Sequence, residues 1–350
     1  MMSMIGRACS LAALFAMPMS AHAQGSDRAQ AASAEIGTET ITIPAIDERP
    51  ITFYLDRPET SEKLPILLVV DGSGCKGQRR KGFADLYQPT ADDTRAFARL
   101  MVEKPGVEAG SDDAEGECTA DFLKHYTMSN RVLDHMRVLQ HLHARADWWN
   151  GELLVWGWSD GGDVASQLVV YYPEITRAVL GAAGGGYTMA EHFEDFWVCK
   201  NDDEEERAGC LASLRAEFSA MEDNPTWKET WSGHDNSWRT WASRLRSRLS
   251  GPLADNTTPI LLLHGELDYD GTPVDSARKL VSDLEEAGND AFTYWEVAGM
   301  GHGWSKLPVE RRAALERAML DWLLLGKASE EDIALIVAPA APEPATAGDS

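Results

Sequence analysis

A serine between two glycines, placed where a predicted strand meets a predicted helix, constrains this fold more than any other feature. The segment Gly157-Trp-Ser-Asp-Gly161 follows the apolar run 153–156 and precedes a predicted helix over 160–171. A serine on such a tight turn projects its hydroxyl from the end of a sheet, and the glycines let strand and helix approach closely. An ordinary glycine turn is the alternative, which the strand-to-helix context disfavours. The pattern predicts that Ser159 is a nucleophile on an α/β fold.

Strand and helix signals alternate along the chain. Residues 38–43 and 51–55 alternate apolar and polar side chains, as in an antiparallel pair, whereas 66–70 and 259–263 are continuous apolar runs typical of strands buried on both faces. This alternation predicts an α/β domain with a mostly parallel central sheet flanked by helices. The other predicted strands are 99–102, 153–156, 177–180 and 292–297, and the predicted helices are 130–145, 160–171, 274–287 and 308–325.

Residues 186–257 interrupt this alternation. They carry an acidic run at 202–206, and no connection inside a compact sheet needs so many residues. We therefore expect an inserted, largely helical cap. Two roles stay open for its aromatic residues, which are packing of a small subdomain and lining of an apolar substrate pocket. The cap holds five of the twelve tryptophans: Trp197, Trp227, Trp231, Trp238 and Trp241.

Two further polar segments follow predicted strands and supply partners for the serine. Asp268 comes shortly after the strand 259–263, and His302 comes shortly after the strand 292–297. The carboxyl ends of parallel strands meet at one edge of a sheet, so these side chains are expected near Ser159. The chain order Ser, Asp, His is that of α/β-hydrolases. We therefore predict Ser159 as nucleophile, His302 as general base and Asp268 as the orienting acid.

Each of these partners has a neighbouring alternative. Asp270 is a second acid on the same loop, but Asp268 lies closer to the end of its strand. His264 is a second candidate base, although a histidine directly after a buried strand is more commonly structural. For the oxyanion, the sequence offers the backbone N–H of Asp160 and, from the glycine turn after 66–70, that of Ser73.

The segments LPILLVVDGSG, GWSDGG, PILLLHGELD and GMGHGW, in this order, resemble the prolyl-oligopeptidase and dienelactone-hydrolase-like branch of the α/β-hydrolase superfamily. The resemblance covers about 38–326 and implies the α/β-hydrolase fold with an inserted helical cap, and the same triad. Related enzymes often have a histidine at the position of Asp71, so the oxyanion loop departs from the pattern. Peptidases of the family carry a large N-terminal β-propeller for which this chain has no room, which argues against peptidase activity.

The resemblance also implies how the cysteines pair. The third and fourth strands are neighbours in that fold, so a bridge between Cys75 and Cys118 would pin the oxyanion loop from outside. Cys199 and Cys210 both fall in the cap and would close a short loop. Cys9 lies in a segment that we expect to be removed.

The two ends of the chain are read as targeting and linker segments. Residues 1–23 contain a positive charge, a short apolar stretch and a small-x-small site, which predicts a signal peptide and a periplasmic or secreted protein. Residues 24–37 are expected to be a flexible leader to the hydrolase domain at 38–326, and 327–350 a largely disordered C-terminal segment. No other apolar run is long enough to span a membrane.

The charge and the absence of ligand patterns narrow the function. The formal net charge of −24 disfavours nucleic acid as a partner, and the spacing of histidines, cysteines and acids predicts no metal or cofactor. We expect hydrolysis of an ester or related acyl bond in a small molecule, with Trp158 and Trp304 lining the substrate pocket. Cleavage of a short peptide or amide is the first alternative. A non-catalytic binding protein on the same fold is the second.

Overall fold

A single eight-stranded sheet forms the centre of the fold. Its strands are β1 (Ile36–Pro44), β2 (Pro50–Pro58), β3 (Leu64–Val70), β4 (Ala98–Val102), β5 (Trp149–Trp158), β6 (Ile175–Gly181), β7 (Ile260–Gly265) and β8 (Phe292–Val297). Their order is β1-β2-β4-β3-β5-β6-β7-β8. The strands from β4 to β8 in this order are parallel, whereas β1 and β2 are antiparallel to each other and β2 to β4. The mostly parallel sheet with an antiparallel opening pair is confirmed.

Ten α-helices accompany the sheet in the part of the chain that the computed structural model describes, which is residues 36–80, 82–89, 95–107, 118–200, 203–231 and 236–337. In that part no helix is long and apolar enough to cross a membrane. The helices are α1 (Ala120–His125), α2 (Met128–His143), α3 (Asp160–Tyr171), α4 (Met189–Glu191), α5 (Glu204–Asp223), α6 (Trp238–Ala242), α7 (Ser250–Ala254), α8 (Val274–Glu286), α9 (Val309–Leu325) and α10 (Glu330–Val337). A π-helical turn spans His192–Trp197 and a 3-10 turn spans Trp304–Lys306.

Alternate residues of the central strands face two different apolar cores. On β3, Ile66 and Leu68 pack in a core with residues of α2, α3 and α8, whereas Leu67 and Val69 pack in a second core with residues of α9. Successive side chains of a strand point to opposite faces, so a strand covered on both sides has to be apolar throughout. This double burial fixes β3, β5 and β7 and so positions the loops that follow their carboxyl ends.

The insertion, residues 186–257 between β6 and β7, has a core of its own. Phe193, Phe218, Trp231 and Trp241 are buried together there, and Phe193 meets Trp231 edge to face with 4.6 Å between the ring centroids. Such aromatic pairs stabilise a small subdomain beyond the area that they bury. Of the two roles that the sequence left open, packing and lining of a pocket, Trp231 and Trp241 therefore have the packing role.

The C-terminal segment differs from the interpretation of the sequence. Residues 327–350 were expected to be largely disordered, but Glu330–Val337 forms α10, which packs on α9. Tertiary contacts stabilise this short helix, because Ile336 is buried and Arg311 of α9 donates to the carbonyls of Leu335 and Ile336 at 3.0 and 2.8 Å. Residues 338–350, the predicted signal peptide 1–23 and the leader up to residue 35 lie outside the described residues.

Both inferred cysteine pairs are disulfides in the structure, with Cα–Cα separations of 5.5 Å for Cys75–Cys118 and 5.6 Å for Cys199–Cys210. Peptide mapping of the oxidised, unreduced protein is expected to recover these two links. Replacing Cys199 and Cys210 by serine is expected to lower the free energy of unfolding in urea by up to about 3 kcal/mol, because a short cross-linked loop restricts the unfolded chain. Crossed pairs, or four thiols free in the unfolded protein, would contradict this assignment.

Candidate active site

Ser159 stands at the junction of β5 and α3 in a backbone conformation that side-chain-bearing residues rarely adopt. Its φ is 57° and its ψ is −129°, and it is the N-cap residue of α3. The strained turn is held at both ends, since Ser159 N–H donates to the Gly181 carbonyl at 2.8 Å and the Ser159 carbonyl accepts from Gly162 N–H at 2.8 Å. Backbone strain of this kind persists only where the surrounding structure enforces it.

The glycines around the turn are required by close packing. A Cβ on Gly157 would lie 2.2 Å from the Gly161 carbonyl oxygen, and a Cβ on Gly161 would lie 2.2 Å from the Val70 carbonyl oxygen. No side chain can be accommodated at either position without moving backbone. The two glycines thus set the approach of α3 to β5 and to the end of β3.

His302 and Asp268 reach Ser159 from the loops after β8 and β7. His302 Nε2 lies 2.9 Å from Ser159 Oγ, and His302 Nδ1 lies 2.7 Å from Asp268 Oδ2. The structure therefore brings together the three side chains that the sequence singled out. In this geometry the imidazole is able to take the hydroxyl proton while the carboxylate fixes its orientation.

Both oxygens of the buried Asp268 carboxylate have polar partners. Its Oδ1 accepts from the N–H groups of Gly271 and Thr272 at 3.1 and 3.0 Å. His264 Nε2 lies 3.3 Å from its Oδ2 and 2.8 Å from the Thr272 carbonyl oxygen. Burial opposes ionisation, but the hydrogen bonds from His264 and His302 outweigh it and hold the pKa of Asp268 below its ordinary value. The carboxyl group is thus charged at neutral pH.

The two alternative residues do not take part in this contact. Asp270 is exposed to solvent, whereas Asp268 is 1% exposed and bonded to the imidazole. His264 Nε2 is bound to the Thr272 carbonyl, and the imidazole hydrogen-bonded to Ser159 is that of His302. The acid that contacts the imidazole is thus the one nearer the strand end, and the two residues after it are exposed to solvent.

The loop after β3 is held by a buried lysine that the sequence did not reveal. Lys104 Nζ lies 2.8 Å from Asp71 Oδ2 and donates to the carbonyls of Gly72 and Gly74 at 3.2 and 2.7 Å. Arg80 also pairs with both oxygens of Asp71 at 2.7 and 2.8 Å. Burial opposes the ionisation of Asp71, but the charges of Lys104 and Arg80 outweigh it and keep the pKa of Asp71 below its ordinary value. We call Asp71, Lys104 and Arg80 the clamp of this loop. Its anion is Asp71, which stands where the resemblance leads one to expect a histidine.

The lysine also orients the peptide groups of the loop. Carbonyl and N–H of one trans peptide point in opposite directions, so the Gly72 carbonyl bound to Lys104 turns the Ser73 N–H away from the lysine. The loop adjoins the turn at Ser159, because a Cβ on Gly72 would lie 3.3 Å from the Trp158 carbonyl oxygen and 3.5 Å from Ser159 Cβ. The exposed Ser73 therefore stands beside the turn with its N–H free of the clamp.

Arg131 joins this loop to the turn at Ser159. Its guanidinium donates to Asp160 Oδ2 at 2.5 Å and to the Asp71 carbonyl at 2.6 Å. Arg244, from the insertion, donates to Asp160 Oδ1 at 2.8 Å, and Tyr126 Oη donates to Asp160 Oδ2 at 2.5 Å. Burial disfavours the carboxylate, but the two arginines overcome this and hold the pKa of Asp160 well below its ordinary value. No local pattern in the sequence links these residues.

A cleft of about 670 Å³ has His302 among its lining residues. Both tryptophans predicted at the site line it, and their rings meet edge to face with 4.6 Å between centroids. Trp158 Nε1 donates to the His302 carbonyl at 2.8 Å, so this ring also supports the histidine loop. Within the described residues, no group of three or more His, Cys, Asp or Glu side chains could hold a metal ion.

Comparison with known proteins places this fold. Residues 178–326 match the family described as the prolyl oligopeptidase family. No curated protein matches the sequence. The acylaminoacyl peptidase of Pyrococcus horikoshii is 15% identical, with a TM-score of 0.53 over 82% of this chain, which spans 41% of that enzyme. The chain thus spans less than half the length of such peptidases.

Shorter enzymes match over most of their length. The α/β-hydrolase GrgF of a Penicillium species is 13% identical with a TM-score of 0.51, and 82% of this chain covers 99% of that enzyme. A brefeldin A esterase, a bacterial homologue of human hormone-sensitive lipase, is 17% identical with a TM-score of 0.50, and 92% of this chain covers 81% of it. At such identities the likeness establishes the fold, which is that of the α/β-hydrolases.

The contact between Gly271 and the imidazole gives a sharp test of the geometry. A Cβ on Gly271 would lie 2.2 Å from His302 Cγ, so Gly271→Ala is expected to displace the ring from Ser159. We expect the rate of reaction of Ser159 with a fluorophosphonate to fall about 100-fold or more, the usual effect of a misplaced reacting group. The matched control is Gly303→Ala, whose Cβ would meet nothing within 4 Å. Equal rates for the two variants would contradict the geometry.

The role of Lys104 in holding the loop after β3 can be tested by measuring the free energy of unfolding of variants. Lys104→Met leaves the buried carboxylate of Asp71 with Arg80 as its remaining cation, and we expect the free energy of unfolding to fall by about 1 to 3 kcal/mol. Lys76→Met, at an exposed lysine of the same loop, is the control and is expected to change little. Urea unfolding of both variants measures the difference. An equal stability of the two variants would show that Lys104 does not hold the loop.

Proposed function

We propose that this protein, a prolyl-oligopeptidase-like serine hydrolase of the α/β-hydrolase fold, hydrolyses an ester or a related acyl bond through an acyl-enzyme. The observation that carries the proposal is the pair of contacts that link Ser159 Oγ to His302 Nε2 at 2.9 Å and His302 Nδ1 to Asp268 Oδ2 at 2.7 Å. A serine hydroxyl is a weak nucleophile until a positioned base takes its proton.

The reaction proceeds in two halves. Ser159 Oγ attacks the carbonyl carbon of the substrate while His302 Nε2 takes the hydroxyl proton, and Asp268 stabilises the imidazolium that forms. The tetrahedral intermediate then collapses, and His302 returns the proton to the leaving alcohol. In the second half His302 takes a proton from water, the hydroxide attacks the acyl-enzyme, and Ser159 recovers its proton as the acid is released.

Two backbone N–H groups stabilise the oxyanion in this proposal. Asp160 is the first residue of α3, where an N–H group has no acceptor within the helix. The second donor is the N–H of Ser73, which the clamp on Gly72 turns away from Lys104. Because Arg131 binds both the Asp160 side chain and the Asp71 carbonyl, it fixes the separation of the two donors. Preorganised donors of this kind usually supply a large part of the rate enhancement.

The cleft beside His302 favours an ester with an apolar or aromatic portion. Its walls include the rings of Trp158 and Trp304 and the side chain of Val309, which suit an acyl chain or an aromatic leaving group. A short peptide or amide is the second candidate, favoured by the match of residues 178–326 to the prolyl oligopeptidase family. Both substrates use the same triad and differ in the leaving group.

Export to the periplasm or the medium belongs to the same proposal. The signal pattern at 1–23 supports it, and the disulfides Cys75–Cys118 and Cys199–Cys210 are compatible with an oxidising compartment. A reducing compartment would keep these four thiols free.

A fluorophosphonate probe tests the proposed nucleophile. The purified protein is expected to form one covalent adduct, located on Ser159 by peptide mapping, because the activated hydroxyl attacks the phosphorus. Ser159→Ala is expected to abolish both the adduct and the hydrolysis of 4-nitrophenyl esters, with kcat falling at least about 1,000-fold, as expected for removal of a triad nucleophile. Ser73→Ala, which keeps the backbone N–H, is the control and should retain labelling.

The outcomes separate the candidate functions. Absence of labelling, or labelling that survives Ser159→Ala, would overturn the serine hydrolase mechanism and favour a binding protein. Comparing acyl esters of increasing chain length with aminoacyl and prolyl amides then distinguishes the bond that is cleaved. A higher kcat/KM for amides than for every ester would replace the ester proposal by the peptide one.

A further inference from the structure

Within the described part of the chain, one cation of the cleft that His302 lines has no anionic partner. Arg312 lies in the first turns of α9 and lines the same 670 Å³ cleft as Trp158, His302 and Trp304. Among the residues that the structure describes, no carboxylate oxygen lies within 4.0 Å of its guanidinium, and the residue is partly buried. The group is thus available to a molecule that enters the cleft.

The other arginines of the same helix are engaged. Arg311 donates to the carbonyls of Leu335 and Ile336, and Arg317 pairs with Asp332 at 2.6 Å. These two hold α10 against α9. Arg312 makes no such structural contact among the described residues, so packing of α10 does not account for it.

The carboxylate of Glu316, which lines the same cleft, is already hydrogen-bonded. Glu316 lies one helical turn further along α9, and its Oε1 accepts a hydrogen bond from Trp304 Nε1 at 2.8 Å. This bond directs the carboxylate to the indole. The guanidinium of Arg312 is thereby left for an external anion.

The surroundings strengthen such an interaction. The cleft also includes Val309, Ala313 and two indole rings, and a charge pair beside apolar walls is less screened than one in open water. The chain as a whole carries a net charge of −24, which repels anions from most of its surface. A guanidinium in the cleft that His302 also lines is a local exception to that field. Its planar donors match a carboxylate in bidentate geometry.

We infer that Arg312 binds a carboxylate group of the substrate, so that the enzyme prefers acyl compounds carrying a negative charge over neutral ones of the same shape. The inference rests on the proposed function, because it names the substrate class of that site. The carboxylate lies either on the acyl part or on the leaving group, and the substrates below distinguish the two.

Two matched pairs of esters test this preference. Mono-4-nitrophenyl adipate and neutral 4-nitrophenyl 6-oxoheptanoate differ in the charge of the acyl part, and 4-carboxyphenyl acetate and 4-acetylphenyl acetate differ in that of the leaving group. We expect the acidic member of one pair to have the higher kcat/KM. Arg312→Gln is expected to reduce the acidic-to-neutral ratio of that pair about 10- to 100-fold, the usual range for a charge-assisted hydrogen bond.

The variants and controls make the result specific. Arg312→Lys is expected to restore part of the ratio, and added salt to reduce the ratio of the unaltered protein. Arg145→Gln, at an exposed arginine with no ion pair among the described residues, is the control and is expected to leave the ratio unchanged. A ratio that Arg312→Gln does not alter in either pair overturns the inference, while neutral esters hydrolysed through Ser159 still support the proposed function. If none of the four esters is hydrolysed in a Ser159-dependent way, the inference and the proposed function are both overturned.

Discussion

The strained turn at Ser159 is the constraint on which the rest of the site depends. A residue with a side chain in this region of φ and ψ costs about 1 to 3 kcal/mol, and here the turn is bonded to β6 on one side and to the start of α3 on the other. The same closeness excludes a side chain at Gly157 and at Gly161. It also brings the end of β3 against the turn. The hydroxyl is therefore presented at the carboxyl edge of the sheet, where the loops carrying Asp268 and His302 meet it.

Beside this turn the protein buries a network of charges rather than apolar side chains. Asp71 and Asp160 are its anions, and Lys104, Arg131 and Arg244 are its principal buried cations. Buried ions are costly unless they are paired and hydrogen-bonded, and each of these carboxylates has at least two cationic partners. The network fixes the relative position of two backbone segments. It holds the loop with Ser73 and the turn with Asp160 in one arrangement, which an apolar core, lacking directional bonds, would specify less firmly.

The insertion is tied to the site through the same network. Arg244 reaches Asp160 from the insertion, and Trp197 Nε1 donates to the Tyr269 carbonyl, next to the acid Asp268, at 3.3 Å. Its buried tryptophans form a separate core, so the insertion is a small packed unit and not a loose loop. The aromatic rings that line the cleft at His302 come instead from β5 and from the loop after β8. Four of the five tryptophans of the insertion thus lie in or against its own core, whereas the ring pair of the cleft belongs to the core fold.

The sequence by itself determined the elements that repeat a local pattern. Continuous apolar runs identified β3 and β7, because a strand covered on both faces has no polar side, and the glycines around Ser159 identified the turn, because only glycine fits there. The order of Ser159, Asp268 and His302 followed from the ends of these strands. Tertiary structure alone decided what depends on residues brought together by folding: that Asp71 pairs with Lys104, that Arg131 and Arg244 converge on Asp160, that Arg312 lines the same cleft as His302 with no anionic partner among the described residues, and that 330–337 is helical against α9. Such contacts join residues up to 84 positions apart, and no local periodicity encodes them, since the energy of each arises only when the folded chain brings the two side chains together.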